Sequence, residues 1–341
     1  MVASVASACG SERASEMTAP GSAIATAGTP APAASSGECG LHTGYPGDEL
    51  CILPPPPGAG FQIHIGPSDY AHPEPEYLLA PQQEVTTDHP TVSGNDQPVF
   101  YYFRQFRMRP GTHHNIVATA DTQQDFGRRI AITNRQHEDN PEGGVLPPEN
   151  RGVGIPLGAR TPLVVNLHSL NTTDKPLLRE TWINFWYREP GSVTELAEQL
   201  ANAGDANLAI PPHADTLLGP YQCQITGTGR MLWFYGHRHA NNVRFSTWRV
   251  RGDQRLLIYE SYNWEDPLLL EFSSNRTNPV PDRTRGIEGG YSGVLDLLPG
   301  DKLEWECHVI NRTDQVLRFT NQNFLGEMCI IDAEVVGANC L

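Results

Sequence analysis

Lysine is almost missing from this 341-residue chain: only Lys175 and Lys302 occur, and Lys and Arg together number 24 against 39 Asp and Glu, a formal net charge of −15. No basic surface is available to neutralise phosphates, which excludes nucleic acid and anionic membrane surfaces as partners. The acidity does not belong to a tail. Residues 51–341 still hold 23 basic against 34 acidic side chains. The chain also lacks any run of eighteen apolar residues, so no transmembrane span is expected. Amphipathic helical patterns are scarce. One stretch, "SVTELAEQLANAG" (192–204), reads as a helix, with Ser192 or Thr194 as its cap and Gly204 as its stop. No internal repeat recurs at a fixed period.

What is present reads as strands and turns. "PVFYYFRQFRM" (98–108), "TPLVVNLHSL" (161–170), "ETWINFWYRE" (180–189), "RLLIYESYNW" (255–264), "DKLEWECHVI" (301–310) and "EMCIIDAEVV" (327–336) are rich in β-branched and aromatic residues and bounded by Gly, Pro, Asn or Asp. Many short strands without alternating helices predict an all-β chain built from antiparallel β-sandwiches. The length suits two domains. The boundaries read as a tether over 1–50, a first domain over 51–205 closed by the single helix, and a second over 206–341 opened by "LAIPPHAD" (208–215).

In the tether, residues 17–37 comprise 19 Ala, Gly, Ser, Thr or Pro out of 21, with no charge, too little apolar area to offset the entropy of ordering. "MVASVASACGSE" ahead of it ends in small residues before Cys9, as a lipoprotein signal does, but its apolar part is short and no basic residue precedes it. A clipped signal with a lipid anchor at Cys9 and an ordinary N-terminus both remain open. The seven cysteines are Cys9, Cys39, Cys51, Cys223, Cys307, Cys329 and Cys340. If Cys9 is lipidated, six remain for three bridges, which fits a secreted or cell-envelope protein. Counting alone does not exclude a set of reduced buried thiols.

The chemistry-bearing stretch is "MLWFYGHRHANNVRF" (231–245). In a strand, alternate side chains share a face, so His237 and His239 point together and form half of a metal site. A later "GEMC" (326–329) supplies Met328. A thioether is a soft donor, poorly suited to zinc, and with two imidazoles it favours copper cycling through Cu(I). A second set lies earlier: His113 and His114 in "RPGTHHN" (109–115), and His168 in "VVNLHSLNTT" (164–173). Adjacent histidines in a regular strand face opposite ways, so joint use of His113 and His114 requires a bulge, which the Pro110-Gly111 turn can introduce.

Together with "GFQIHIGP" (60–67) and "LLPGDKLEWEC" (297–307), these motifs make residues 60–341 resemble the copper type II, ascorbate-dependent monooxygenases, the family of peptidylglycine alpha-hydroxylating monooxygenase and dopamine beta-monooxygenase. The resemblance implies two antiparallel jelly-roll domains and two copper ions per chain in separate mononuclear sites facing an interdomain cleft. His113, His114 and His168 would hold the electron-transferring copper. His237, His239 and Met328 would hold the catalytic one, where O2 and a small-molecule substrate react, with ascorbate or a similar reductant supplying electrons for hydroxylation of a C–H bond. It also implies the disulfides Cys307–Cys329 and Cys223–Cys340; Cys39 with Cys51 is the remaining candidate pair.

At the positions where the peptide-amidating relatives anchor a substrate carboxylate, this chain has Tyr235, Ile330 and Asp332, so a glycine-extended peptide is not the expected substrate. The 273–293 loop reads either as a cover for the catalytic copper or as a solvated insertion. Two rival functions carry over: an exported copper-binding or copper-sensing protein without turnover, and a zinc hydrolase, which the methionine and the lack of a general base near H-x-H disfavour.

Overall fold

The structure, a computed structural model, describes residues 39–120 and 129–341. The tether over 17–37 and the anchor expected at Cys9 lie outside the described residues. The fold is all-β, and each strand expected from the sequence is there. Period-two burial shows why: in Lys302–Ile310, Leu303, Trp305, Cys307 and Val309 are wholly buried while the residues between them are not. Burying such side chains stabilises the fold by about 1.5–3 kcal/mol each.

In the first half, Gly60–Ile65, Thr181–Arg188, Val99–Met108 and Val153–Leu157 form one layer. A four-stranded sheet of Glu84–Val92, Pro162–Leu170, Thr112–Thr119 and Arg129–Thr133 forms the other. In the second half a single 24-residue strand, Asp215–Arg238, serves both layers. Up to Gln224 it pairs with Lys302–Ile310, and from Ile225 onward with Cys329–Cys340. The change of partner falls beside the Cys223–Cys340 disulfide. Cys307–Cys329 and Cys39–Cys51 are bridged as well, so all three anticipated pairs are formed, as suits an oxidising compartment. Among the described residues, no helix is long and apolar enough to cross a membrane.

One expectation is overturned. The segment read as a helix over 192–204 contains a strand, Glu195–Asn202, antiparallel to Cys329–Cys340 from Ala197↔Val336 to Asn202↔Ile331 and parallel to Val153–Leu157 at its start. Its Ala, Leu, Glu and Gln are good helix formers, but a helix would leave the backbone groups along one edge of Cys329–Cys340 without partners, and tertiary pairing overrides local preference. This strand joins the halves into one continuous sheet, and one hydrophobic core runs through both. Ion pairs cross the same seam: Arg104–Glu334 at 2.7 Å, Arg129–Asp332 at 2.7 Å and Arg230–Glu195 at 2.7 Å.

Candidate metal centre

The turn before His113 is held rigidly. Arg109 donates from Nε to Glu180 Oε2 at 2.6 Å and from Nη2 to Asp48 Oδ1 at 2.8 Å. Gly111 follows at φ +89°, where a Cβ would also meet Leu177 at 2.8 Å. The strand Thr112–Thr119 then pairs with Pro162–Leu170, Thr112 opposite Ser169 and His114 opposite His168. His113 is the unmatched residue. The bulge required for adjacent histidines to act together is therefore present, and it turns both rings to one place. The His113 and His114 rings lie 5.5 Å apart, and His168 is 5.3 Å from the first and 4.9 Å from the second.

On the second half, His237 stands opposite Ile330 near the end of Asp215–Arg238, and His239 follows just past the strand. Their rings are 5.4 Å apart. Arg238 leaves by the other face, donating to Ser261 Oγ at 2.7 Å, as alternation demands. Met328 is buried immediately before Cys329–Cys340. The carboxylate between the two motifs is Glu327: its Oε1 accepts the backbone N–H of His239 and that of Met328, each at 2.9 Å. One buried oxygen thus fixes the H-x-H segment against the methionine segment.

The two ligand sets are not separated by a cleft. His113 lies 5.5 Å from His237 and 5.9 Å from His239, and His114 lies 5.4 Å from His237. The available ligand atoms of His113, His114 and His237 all fall within 4.8 Å of one another. This departs from the separate sites implied by the resemblance, and the bonds across the seam give the reason. Besides the shared strand and ion pairs, Asn134 of the first half hydrogen-bonds His237 Nδ1, and Glu84 accepts the backbone N–H of Asn323 at 2.7 Å.

First-half side chains also decide which ring nitrogens face inward. Asn166 donates its amide to Asp88 at 2.6 Å, so its Oδ1 accepts from His114 Nε2–H at 3.1 Å. Glu84 Oε1 accepts from His168 Nε2–H at 2.9 Å. Nδ1 of His114 and of His168 and both nitrogens of His113 are buried without a partner, while the His239 ring meets the backbone of Gly326 and Gln322. Burial, then the neighbouring imidazoles, holds His113, His114 and His237 well below the ordinary histidine pKa, and burial lowers His239 to about 3. These rings are neutral at pH 7. Buried nitrogens left unpaired are costly; a cation bound among them would remove that cost, and outer partners that orient ligating imidazoles are the usual accompaniment of such sites. The residues present fit a metal.

Sequence reasoning missed Glu84, Asn134, Asn166, Glu327 and Trp264. Asn166 could have been found as the same-face neighbour of His168, and Glu327 by adjacency to Met328; nothing local marks the others. Trp264 packs its ring 5.6 Å from His113 and 6.0 Å from Phe324, which is 43% exposed. Tyr235 stands opposite Asp332, whose carboxylate is taken by Arg129. A cavity of about 220 Å³ lined by Arg104, Arg129, Gln199 and Glu334 opens along the same seam. The 273–293 loop bonds to Glu142, Glu149 and Glu271, and through Glu288 to the turn at 261–263 that precedes Trp264.

No protein-family model matches this chain, and no curated protein matches it. Among solved structures, the crystal structure of the STIV MCP aligns over 77% of this chain and 95% of that one, at 8% identity and a TM-score of 0.30. That likeness is too slight to build on.

Proposed function

We propose that the histidine cluster binds copper and that the protein hydroxylates a C–H bond of a small organic substrate, using O2 and an ascorbate-type reductant. The observation that carries the metal reading is the convergence of ligand atoms from His113, His114 and His237 within 4.8 Å, beside buried ring nitrogens of His113, His114 and His168 that have no partner. Copper is favoured over zinc by the donor set: imidazoles with a thioether, Met328, tied to His239 through Glu327. A zinc hydrolase would need a carboxylate base, whereas Glu84 and Glu327 each commit one oxygen to two N–H groups as structural acceptors.

Bound copper would supply dioxygen activation and one-electron transfer, so that one oxygen atom enters a C–H bond and the other leaves as water, with two electrons and two protons consumed. The chain's own residues orient and shield. Asn166 and Glu84 hold His114 and His168 as Nδ1 donors, Asn134 fixes His237, and Trp264 with Phe324 forms an apolar wall on the side of His113. Asp332 is neutralised by Arg129, so Tyr235 and Asp332 offer no free cation for a carboxylate.

One observation favours the rival of copper storage without turnover: none of the five rings is more than 6% exposed. Metal analysis of protein purified without chelators, followed by oxygen uptake with ascorbate across a substrate library, separates the readings. Two coppers per chain with substrate-dependent uptake is expected. One zinc, or no metal, overturns the copper reading; two coppers with no uptake above the metal-free background overturns hydroxylation and leaves storage.

A further inference from the structure

We infer that His113 is a bridging ligand, its two ring nitrogens shared between two metal ions. The inference rests on the metal reading of the cluster and goes beyond it, since separate mononuclear sites would use one nitrogen of each histidine. His113 is the extra residue of the bulge, so no cross-strand partner claims its position. Its ring lies 5.3–5.9 Å from those of His114, His168, His237 and His239, between the two ligand sets.

The nitrogens distinguish it from its neighbours. His114 Nε2 is held by Asn166, His168 Nε2 by Glu84 and His237 Nδ1 by Asn134, so each of these rings can offer only one nitrogen and serves as a terminal ligand. Both nitrogens of His113 are buried and unpartnered. One belongs to the group formed with His114 and His237. The other is left for a second ion, with His239, whose ring lies 5.9 Å away and also meets the backbone of Gly326 and Gln322, as a terminal ligand; His168 and Met328 would complete the two shells. An imidazole bound at both nitrogens, at about 2.0–2.1 Å each, spans two ions about 6 Å apart. The ring loses its remaining N–H proton to solvent as the second cation takes its place, with no change of oxidation state.

Electron paramagnetic resonance of the full chain loaded with two equivalents of Cu(II) tests this without any turnover. A bridging imidazolate couples the two spins. The expected result is a loss of most of the signal of two independent Cu(II) ions at low temperature, with a half-field transition appearing on warming as the triplet is populated. In His113→Gln, loaded identically, the signal of isolated ions returns. Wild-type protein that binds two coppers and shows full two-spin intensity overturns the bridge while leaving the copper reading intact. Coupling that persists in His113→Gln also overturns it, because another group would then be the bridge. Protein that binds no copper overturns the underlying reading instead. The wild-type measurement decides even if the variant does not fold.

Discussion

Replacing Glu327 by alanine removes one oxygen that two backbone donors share. Both N–H groups, of His239 and Met328, are at 2.9 Å, and the carboxyl is fully buried. Each donor left unsatisfied in the interior costs about 1–3 kcal/mol, so Glu327→Ala should destabilise the metal-free protein by about 2–6 kcal/mol. Burial raises the Glu327 carboxyl to about 8 against the opposing pull of those N–H groups. The native group is therefore largely the neutral acid at pH 7, and glutamine mimics its shape and its acceptor. Glu327→Gln should cost less than half as much as the alanine variant. Urea denaturation of both variants gives the stabilities, and copper titration shows whether His239 and Met328 still act together. The reasoning fails if Glu327→Ala unfolds at the wild-type midpoint and binds copper with unchanged affinity.

Three further outcomes are expected. Met328→Ile should fold with wild-type stability to within about 1.5 kcal/mol, because the exchange conserves volume, yet lose copper-dependent oxygen uptake; full uptake would remove the thioether from the mechanism. Glu138, buried and lifted to about 7 by that burial although Thr133 donates to it at 2.7 Å, takes up a proton on folding. Its stabilising contribution is complete below the ordinary carboxylate range and is lost as pH rises through 7, by up to about 3 kcal/mol; the stability difference between wild type and Glu138→Gln, followed from acid to alkaline pH, should fall accordingly, and a flat difference refutes it. Arg129→Ala leaves the buried Asp332 carboxylate unpaired and should cost about 3–5 kcal/mol, whereas Arg129→Met with Asp332→Leu should recover most of it; denaturant midpoints of the two variants check both.

Much of the architecture was legible because a strand writes its burial into alternate positions, as Leu303, Trp305, Cys307 and Val309 show. The demand for a bulge at His113 could be stated from geometry alone, since adjacent side chains of a regular strand cannot face one way. Glu195–Asn202 reads locally as a helix because its composition carries helix propensity, while its actual determinant is a distant edge, Cys329–Cys340, that no local window contains. The same limit hid the convergence of the sites. Motifs give ligands and their order along the chain, but the distance between His113 and His237 depends on how two halves meet, and that is decided by Arg104–Glu334, Arg129–Asp332 and a shared strand.

That seam has a consequence for how the cluster is built. His113 and His114 are set by a bulge in the first half, His237 and His239 by a strand end in the second, and the bonds that orient them cross over: Asn134 reaches His237, and Glu84 serves both His168 and the backbone of Asn323, five residues before Met328. His237 is thus oriented from the other half, whereas Asn166 and Glu84 orient His114 and His168 from within their own. Placement of His237 and closure of the seam are therefore linked, so a cation bound between the halves would stabilise their union by the same free energy with which the union favoured the cation.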